Sequence, residues 1–351
     1  MAPRFTVLLP TRNRAPLLRL AIASVLDQTE PDFELLVVGD ACTDDSAAVV
    51  ASFADPRIRW FDLPKAQGFG YANRNVALRQ SSGRYIAFVA DDDLVFPDHL
   101  ERLAATIDES GADWAYTRPL WVATDGVVVP FAINLLNSDE LETFLTVCNH
   151  LPATCVMYTR RCLDAYGYWP EDVPRAGDWQ YWKRIIEGGH RANLAYSPVP
   201  TSFHFNAPWK TTPETQMGEV TAAREIAAGA SWWPASMKAT MSAGTAEQTI
   251  FDELTRRRGY VYRLRRDVSL VIERLAWMQL TDTPAAISRL QLAVLTSAAN
   301  EGQAKADREV AMSSLEAVVS STSWRVTWPI RALVSAIRQR GRGTATDSRT
   351  P

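Results

Sequence analysis

Short, nearly continuous apolar runs alternate along the first third of the chain with segments whose apolar residues recur every three or four positions. Phe5 to Pro10 reads as a buried strand. A helix follows, with Pro16 in its first turn and Leu17, Leu18, Ala21, Ile22, Val25 and Leu26 on one face. Phe33 to Val38 is a second buried strand, ending at Gly39-Asp40. Thr43-Asp44-Asp45-Ser46 supplies N-cap chemistry for a helix carrying Val49, Val50 and Phe53. Ile58 to Leu63 is a third strand and Tyr71 to Gln80 a helix, stopped by Ser81-Ser82-Gly83. Tyr85 to Ala90 is a fourth strand that runs into Asp91-Asp92-Asp93, and Pro97 opens a helix ending near Gly111.

Strands alternating with helices predict an α/β fold, a mostly parallel sheet with helices on both faces. In such sheets ligands bind beyond the carboxyl ends of the strands. Those ends carry Thr11 to Arg14, Asp40 and the three aspartates. From Trp114 to about Pro208 the pattern is mixed and aromatic-rich. It contains Gly177-Asp178-Trp179-Gln180-Tyr181-Trp182 at a helix start and His204 in a strand-like stretch, Pro200 to Phe205. Beyond residue 212 the chain reads as helical. Val261, Leu264, Val268, Val271, Leu275 and Met278 form a short heptad seam, which suits either a coiled coil, and with it a homodimer, or a helix lying on its own domain. The expected organisation is a domain at 1–212, a helical extension at 213–318 and a basic amphipathic tail at 319–351.

Composition narrows the classes. A net charge of -3 gives no global case for nucleic-acid binding, although six arginines against one acid follow from Arg325 onward. No stretch approaches the roughly 20 apolar residues of a bilayer span, and the N-terminal run lacks signal-peptide form. Cys42, Cys148, Cys155 and Cys162 contain no CxxC pair and read as reduced thiols of a cytoplasmic protein.

The Asp triplet is the strongest chemical signal. In an extended segment Asp91 and Asp93 would share one side and one hard divalent cation, Mn2+ or Mg2+, with Asp92 turned away. A solvated acidic turn before Pro97 is the plainer alternative. Context decides here. Pro10-Thr11-Arg12-Asn13-Arg14, Val37 to Ser46, Gly83 to Phe88 and the triplet with Pro97, in this order and spacing, resemble family 2 glycosyltransferases of the GT-A fold over about the first two hundred residues. The chain departs from the family at Gly39, where a second aspartate is frequent, and at Ala90, where another acid is frequent.

The resemblance implies an inverting transfer from a nucleotide-diphosphate sugar, uridine first, to a hydroxyl of a glycan or lipid-linked acceptor in cell-surface polysaccharide synthesis. It implies that Pro10, Thr11 and Arg12 line the nucleotide pocket and that Asp40 accepts a hydrogen bond from the base. Gly68 would allow close approach near the ribose. Arg74, beside Asn75, would pair with the diphosphate. Asp91 and Asp92 would face the donor, and Asp91 and Asp93 would hold the metal. Asp178 matches the family's later acidic motif and would be the general base, where the residues alone suggest only a helix cap. His204 is either a further metal ligand or a packed residue between Phe203 and Phe205. Trp169, Trp179, Trp182 and Trp209 surround the acceptor region as sugar-stacking or core side chains.

Ser320 to Arg331, with Trp324 and Trp328, resembles a tail segment of bacterial surface-polysaccharide glycosyltransferases. Physically it is a basic amphipathic element suited to the inner face of the cytoplasmic membrane or to another helix. Two rival readings are a non-catalytic nucleotide-sugar-binding scaffold of the same fold and a sugar nucleotidyltransferase. The latter needs a Gly-rich phosphate loop, which Pro10-Thr11-Arg12-Asn13 lacks.

Overall fold

A computed structural model describes residues 2–189, 193–206, 218–241, 244–257 and 259–278. Seven strands form the central sheet: β1 (Phe5–Thr11), β2 (Phe33–Asp40), β3 (Ile58–Leu63), β4 (Tyr85–Phe88), β6 (Trp114–Thr117), β9 (Val156–Thr159) and β10 (Leu194–Ser197). Their order is β10-β6-β9-β4-β1-β2-β3. All neighbours run parallel except β9, which is antiparallel to both β4 and β6. A four-stranded sheet has the order β5-β11-β7-β8, from β5 (Leu94–Val95), β7 (Leu120–Val122), β8 (Val128–Pro130) and β11 (Ser202–Phe205).

The unbroken apolar runs arise because helices cover both faces of the large sheet. On β1, Val7 and Leu9 face one core, while Leu8 faces the other. The first core takes apolar side chains of α1 (Ala15–Leu26), α2 (Ser46–Ser52) and α4 (His99–Ser110). The second takes those of α3 (Tyr71–Leu78), α5 (Ser138–Thr146), α6 (Arg160–Tyr166) and α7 (Gly177–Gly189). Trp169 and Trp182 are buried in this second core, so they pack the fold and offer no face to a sugar. Trp209 lies outside the described residues.

Punctuation read from the chain has its physical counterpart. Pro16 sits in the first turn of α1, and Gly111 ends α4 at φ +70°. Asp44 supplies the capping at α2: its Oδ1 accepts from the Ser46 N–H at 3.1 Å and the Ser46 hydroxyl at 2.6 Å. Its Oδ2 accepts from the Ala15 N–H at 2.9 Å, so one carboxylate serves the starts of two helices. Those bonds outweigh the upward push of burial and hold Asp44 below the ordinary carboxylate range.

The compact unit holding the sheets runs from Met1 to Val271, and α8 (Gly218–Gly229) and α9 (Ala246–Arg256) lie within it. Residues 260–278 are helical, α10. Leu264, Val268 and Val271 of the heptad seam are buried within this single chain, which is the packing of a helix on its own domain. A second unit comprises Ile272–Pro351, of which residues 272–278 are described. The tail at 319–351 lies outside the described residues. Among the described residues, no helix is long and apolar enough to cross a membrane.

Candidate active site

Site residues come from the carboxyl ends of β1, β2 and β4, from α3, from the start of α7 and from β11. Pro10 and Thr11 end β1, in register with Val38 and Gly39. The buried Thr11 hydroxyl donates to Asp91 Oδ2 at 2.8 Å. Arg12 is exposed. Arg14, to which the sequence assigned no role of its own, donates from Nη1 to Asp91 Oδ1 at 2.8 Å and lies 3.4 Å from Asp92 Oδ2.

The triplet departs from its predicted geometry. β4 stops at Phe88, and residues 91–92 form a turn. The two-residue alternation of a strand therefore does not apply, and Asp91 and Asp93 have different partners. Asp91 faces Thr11 and Arg14. Asp93 accepts from the Thr154 hydroxyl at 2.5 Å and the Phe205 N–H at 3.3 Å, and the His204 Nδ1 lies 3.0 Å from its carboxylate. All three aspartates are buried. Burial, then the charge of Asp92, pushes the Asp91 carboxyl above the ordinary range against the pull of Arg14 and Thr11.

His204 is both packed and polar. Its ring meets Trp121 edge-on at 4.4 Å between centroids, on the neighbouring strand. A carboxylate can only accept, so Nδ1 donates to Asp93. A carboxylate behind an imidazole is the arrangement that orients metal-binding histidines.

Asp40 ends β2 and is buried. Its Oδ1 accepts from the Ala66 N–H at 2.7 Å and from Asn73 Nδ2 at 2.8 Å, and Lys65 Nζ lies 2.7 Å from Oδ2. Gly70, at φ +78°, keeps this corner open, since a Cβ there would stand 3.2 Å from the carboxylate. Gly68, at φ +59°, meets the backbone carbonyls of Val173 and Pro174.

Arg74 sits in an aromatic box, its guanidinium carbon 4.8 Å from the Tyr71 centroid, 5.0 Å from Trp169 and 5.2 Å from Phe88. Its Nε is buried and has no hydrogen-bond partner. Burial lowers its pKa, opposed by the fields of Tyr71, Asp178, Asp91 and Asp40. Asn75 differs from its neighbour. Its Nδ2 donates to the Trp169 carbonyl and to Glu171 Oε1, both at 2.8 Å, and its Oδ1 accepts from the Trp169 N–H. That amide holds the 169–171 loop.

Asp178 occupies the first turn of α7. The Gly177 N–H donates to the Tyr71 hydroxyl at 2.9 Å, and a Cβ on Gly177 would stand 2.6 Å from the Tyr71 ring. Ala176, just before, is held at φ +55°. Asn13 and Ala41 also have positive φ, beside Arg14 and Asp40. Among the described residues, three of the four non-glycine positions at positive φ thus lie within two residues of a site residue, where strained backbone commonly gathers. Burial raises the Asp178 pKa, opposed by the Trp179 N–H, Arg74 and His204. Trp179 is half-buried, its indole N–H donating to the Phe144 carbonyl at 2.7 Å.

Residues 6–167 match the sequence profile described as Glycosyl transferase family 2, and the chain carries a domain of this family. Its mixed sheet, mostly parallel and covered on both faces, is of the GT-A type. Succinoglycan biosynthesis protein ExoO of Rhizobium meliloti (strain 1021) is 36% identical over 124 residues, 35% of this chain and 35% of that protein. The UDP-Glc:alpha-D-GlcNAc-diphosphoundecaprenol beta-1,3-glucosyltransferase WfgD of Escherichia coli is 33% identical over 111 residues, 32% of this chain and 44% of that one. The matched segment thus spans about a third of the first relative's length and under half of the second's. Among solved structures, S. aureus TarS 1-349 in complex with UDP-GlcNAc superposes with a TM-score of 0.48 at 23% identity, covering 58% of this chain and 59% of that one.

Proposed function

We propose that the chain is an inverting glycosyltransferase that moves a sugar from a nucleoside-diphosphate donor, UDP-linked first, to a hydroxyl of a glycan or lipid-linked acceptor in surface-polysaccharide synthesis. The observation that carries this reading is Asp178: a carboxylate of raised pKa at a strained helix start, in one electrostatic field with Arg74 and His204. The names of the two curated relatives agree with it, one acting in succinoglycan biosynthesis and the other using UDP-Glc on a diphosphoundecaprenol acceptor.

Asp178 accepts the proton of the acceptor hydroxyl as that oxygen attacks the anomeric carbon. The bond to the departing diphosphate breaks on the opposite face. A raised pKa makes Asp178 a stronger base than an exposed aspartate. Arg74, half-buried and with a buried, unpartnered Nε, pairs with the diphosphate. Asp40 reads the base, with Thr11 and Pro10 as the pocket floor.

The donor set fits Mn2+ or Mg2+, hard ions that take oxygen ligands. Among the described residues no three His, Cys, Asp or Glu side chains converge as a ready cage. An ion there would be held by one or two side chains together with substrate phosphates. Asp91 would supply carboxylate oxygens and His204 its Nε2, with Asp93 fixing the His204 tautomer. The bound ion would offset charge on the leaving diphosphate. The basic tail would rest on the inner face of the cytoplasmic membrane, near a lipid-linked acceptor.

The test is a thermal-shift panel of UDP, GDP and dTDP with and without Mn2+, since ligands of the folded state raise Tm by mass action. The reading expects one metal-dependent shift, kept in Asp178→Asn while sugar transfer is lost. Transfer that survives in Asp178→Asn sinks the assignment of the base. A panel with no shift sinks the donor class.

A further inference from the structure

The small sheet presents His204 to Asp93 through a very short ladder. Only two residue pairs, Leu94↔Phe203 and Val95↔Ser202, join β5 to β11. At one end of this ladder stand Asp93, His204 and the Phe205 N–H. At the other end the Phe96 N–H donates to the Thr201 carbonyl at 2.8 Å. Two strands of this length do not hold a register unaided. Two contacts close the far end, and one is His99 Nδ1, 2.8 Å from the Thr201 hydroxyl.

Arg265, on α10, lies there. It is far beyond the segment that matches the family profile. Its Nη1 and Nη2 donate to the two oxygens of Asp98 at 2.8 and 2.7 Å. Its Nε donates to the Pro200 carbonyl at 3.0 Å, and its guanidinium carbon lies 5.4 Å from the Phe96 centroid. One planar side chain therefore grips the segment leaving the aspartate triplet and the segment entering β11. Its side chain is 18% exposed, so the forked contact is sheltered from water and salt. Arg102 also reaches Asp98, from within α4, but bridges nothing to β11.

We propose that Arg265 is a positioning residue for the candidate active site: by clamping Asp98 to Pro200 it sets the β5–β11 register and so the Asp93–His204 contact. The clamp itself is read from geometry alone; its consequence for catalysis rests on the glycosyltransferase reading above. The last described helix would then be part of the catalytic framework, although the family profile ends at residue 167.

The experiment uses the full chain carrying Arg265→Met or Arg265→Lys. The Nδ1 proton of His204 bonded to a carboxylate gives a downfield imidazole signal in 15N-labelled protein, assigned by its absence in His204→Gln. In Arg265→Met that signal is expected to shift or vanish, while the protein still melts cooperatively. The apparent Mn2+ affinity for UDP-supported binding is expected to fall about tenfold. Arg265→Lys keeps the charge but loses the fork, and should perturb the signal less than Arg265→Met. It also decides the matter if Arg265→Met does not fold. An unchanged His204 signal in a folded Arg265→Met protein overturns the clamp, as does an unchanged signal in Arg265→Lys when Arg265→Met is unfolded. A wild-type chain that shows the His204 signal but no turnover with any sugar nucleotide would sink the glycosyltransferase reading and leave the clamp standing.

Discussion

The two sides of the candidate site are built on opposite principles. On the donor side, Thr11, Asp40 and the triplet each follow a strand of the large sheet, and strand position alone puts them together. On the other side, Asp178 and His204 depend on partners far along the chain. Tyr71 receives the Gly177 N–H, and Asp93 with Arg265 frames β11. A site can therefore be half topological and half cross-braced, and the halves should fail differently when disturbed.

The largest expected effect falls on the cross-braced side. Asp178→Asn removes the proposed base but keeps shape, so kcat should drop by about 10²–10⁴ while nucleotide affinity holds. Steady-state kinetics with saturating donor checks it, and an equal loss of nucleotide binding would show that Asp178 belongs to the donor side. Next comes Gly177→Ala. Its Cβ would meet a Tyr71 ring packed against Trp169, 6.1 Å between centroids. Overpacking of this kind costs about 1–3 kcal/mol, and kcat should fall with Tm because Asp178 moves. Tyr71→Phe, which loses only the hydrogen bond from Gly177, should cost about 1 kcal/mol in denaturant unfolding.

Acidity gives a sharper cut between the two halves. Asp178 must be ionised to take a proton, and burial raises its pKa above 3.8. The acid limb of kcat should therefore lie above that value, with activity lost as pH falls through the raised pKa. Arg74 opposes the rise, so Arg74→Met should move the limb to higher pH at saturating donor. A limb that stays in place would uncouple the donor-side arginine from the base. The smallest effect is Ala176→Gly. Relief of positive φ should stabilise by about 1 kcal/mol in equilibrium unfolding, and any change in kcat would show that the strain serves the site.

The same divide explains what the chain reveals before it folds. Apolar runs and their polar ends announced β1 to β4 and the polar residues at their carboxyl ends, because each signal lies within a few positions. Asn75 stands beside Arg74 on the same helix, yet only its amide's partners at Trp169 and Glu171 reveal that it braces a loop. Those partners lie 94 and 96 positions away. Thr154 and Arg14 were missed as companions of the triplet for the same reason. The turn at Asp91 and Asp92 was hidden by the strand-like residues before it. Burial of Trp169 and Trp182 depended on a core assembled from several distant elements.

β9 carries a consequence for synthesis. It sits between β4 and β6, which do not pair with each other. A ribosome releases β6 well before β9, so the growing sheet waits with the apolar edge of β4 unfilled from Phe88 until Val156 emerges. At roughly 5–20 residues per second that interval lasts on the order of several seconds. During it, a bare strand edge is open to pairing with other nascent chains. Slowing translation between β4 and β9 should therefore raise the aggregated fraction, whereas holding β9 ready should matter little once the chain is released.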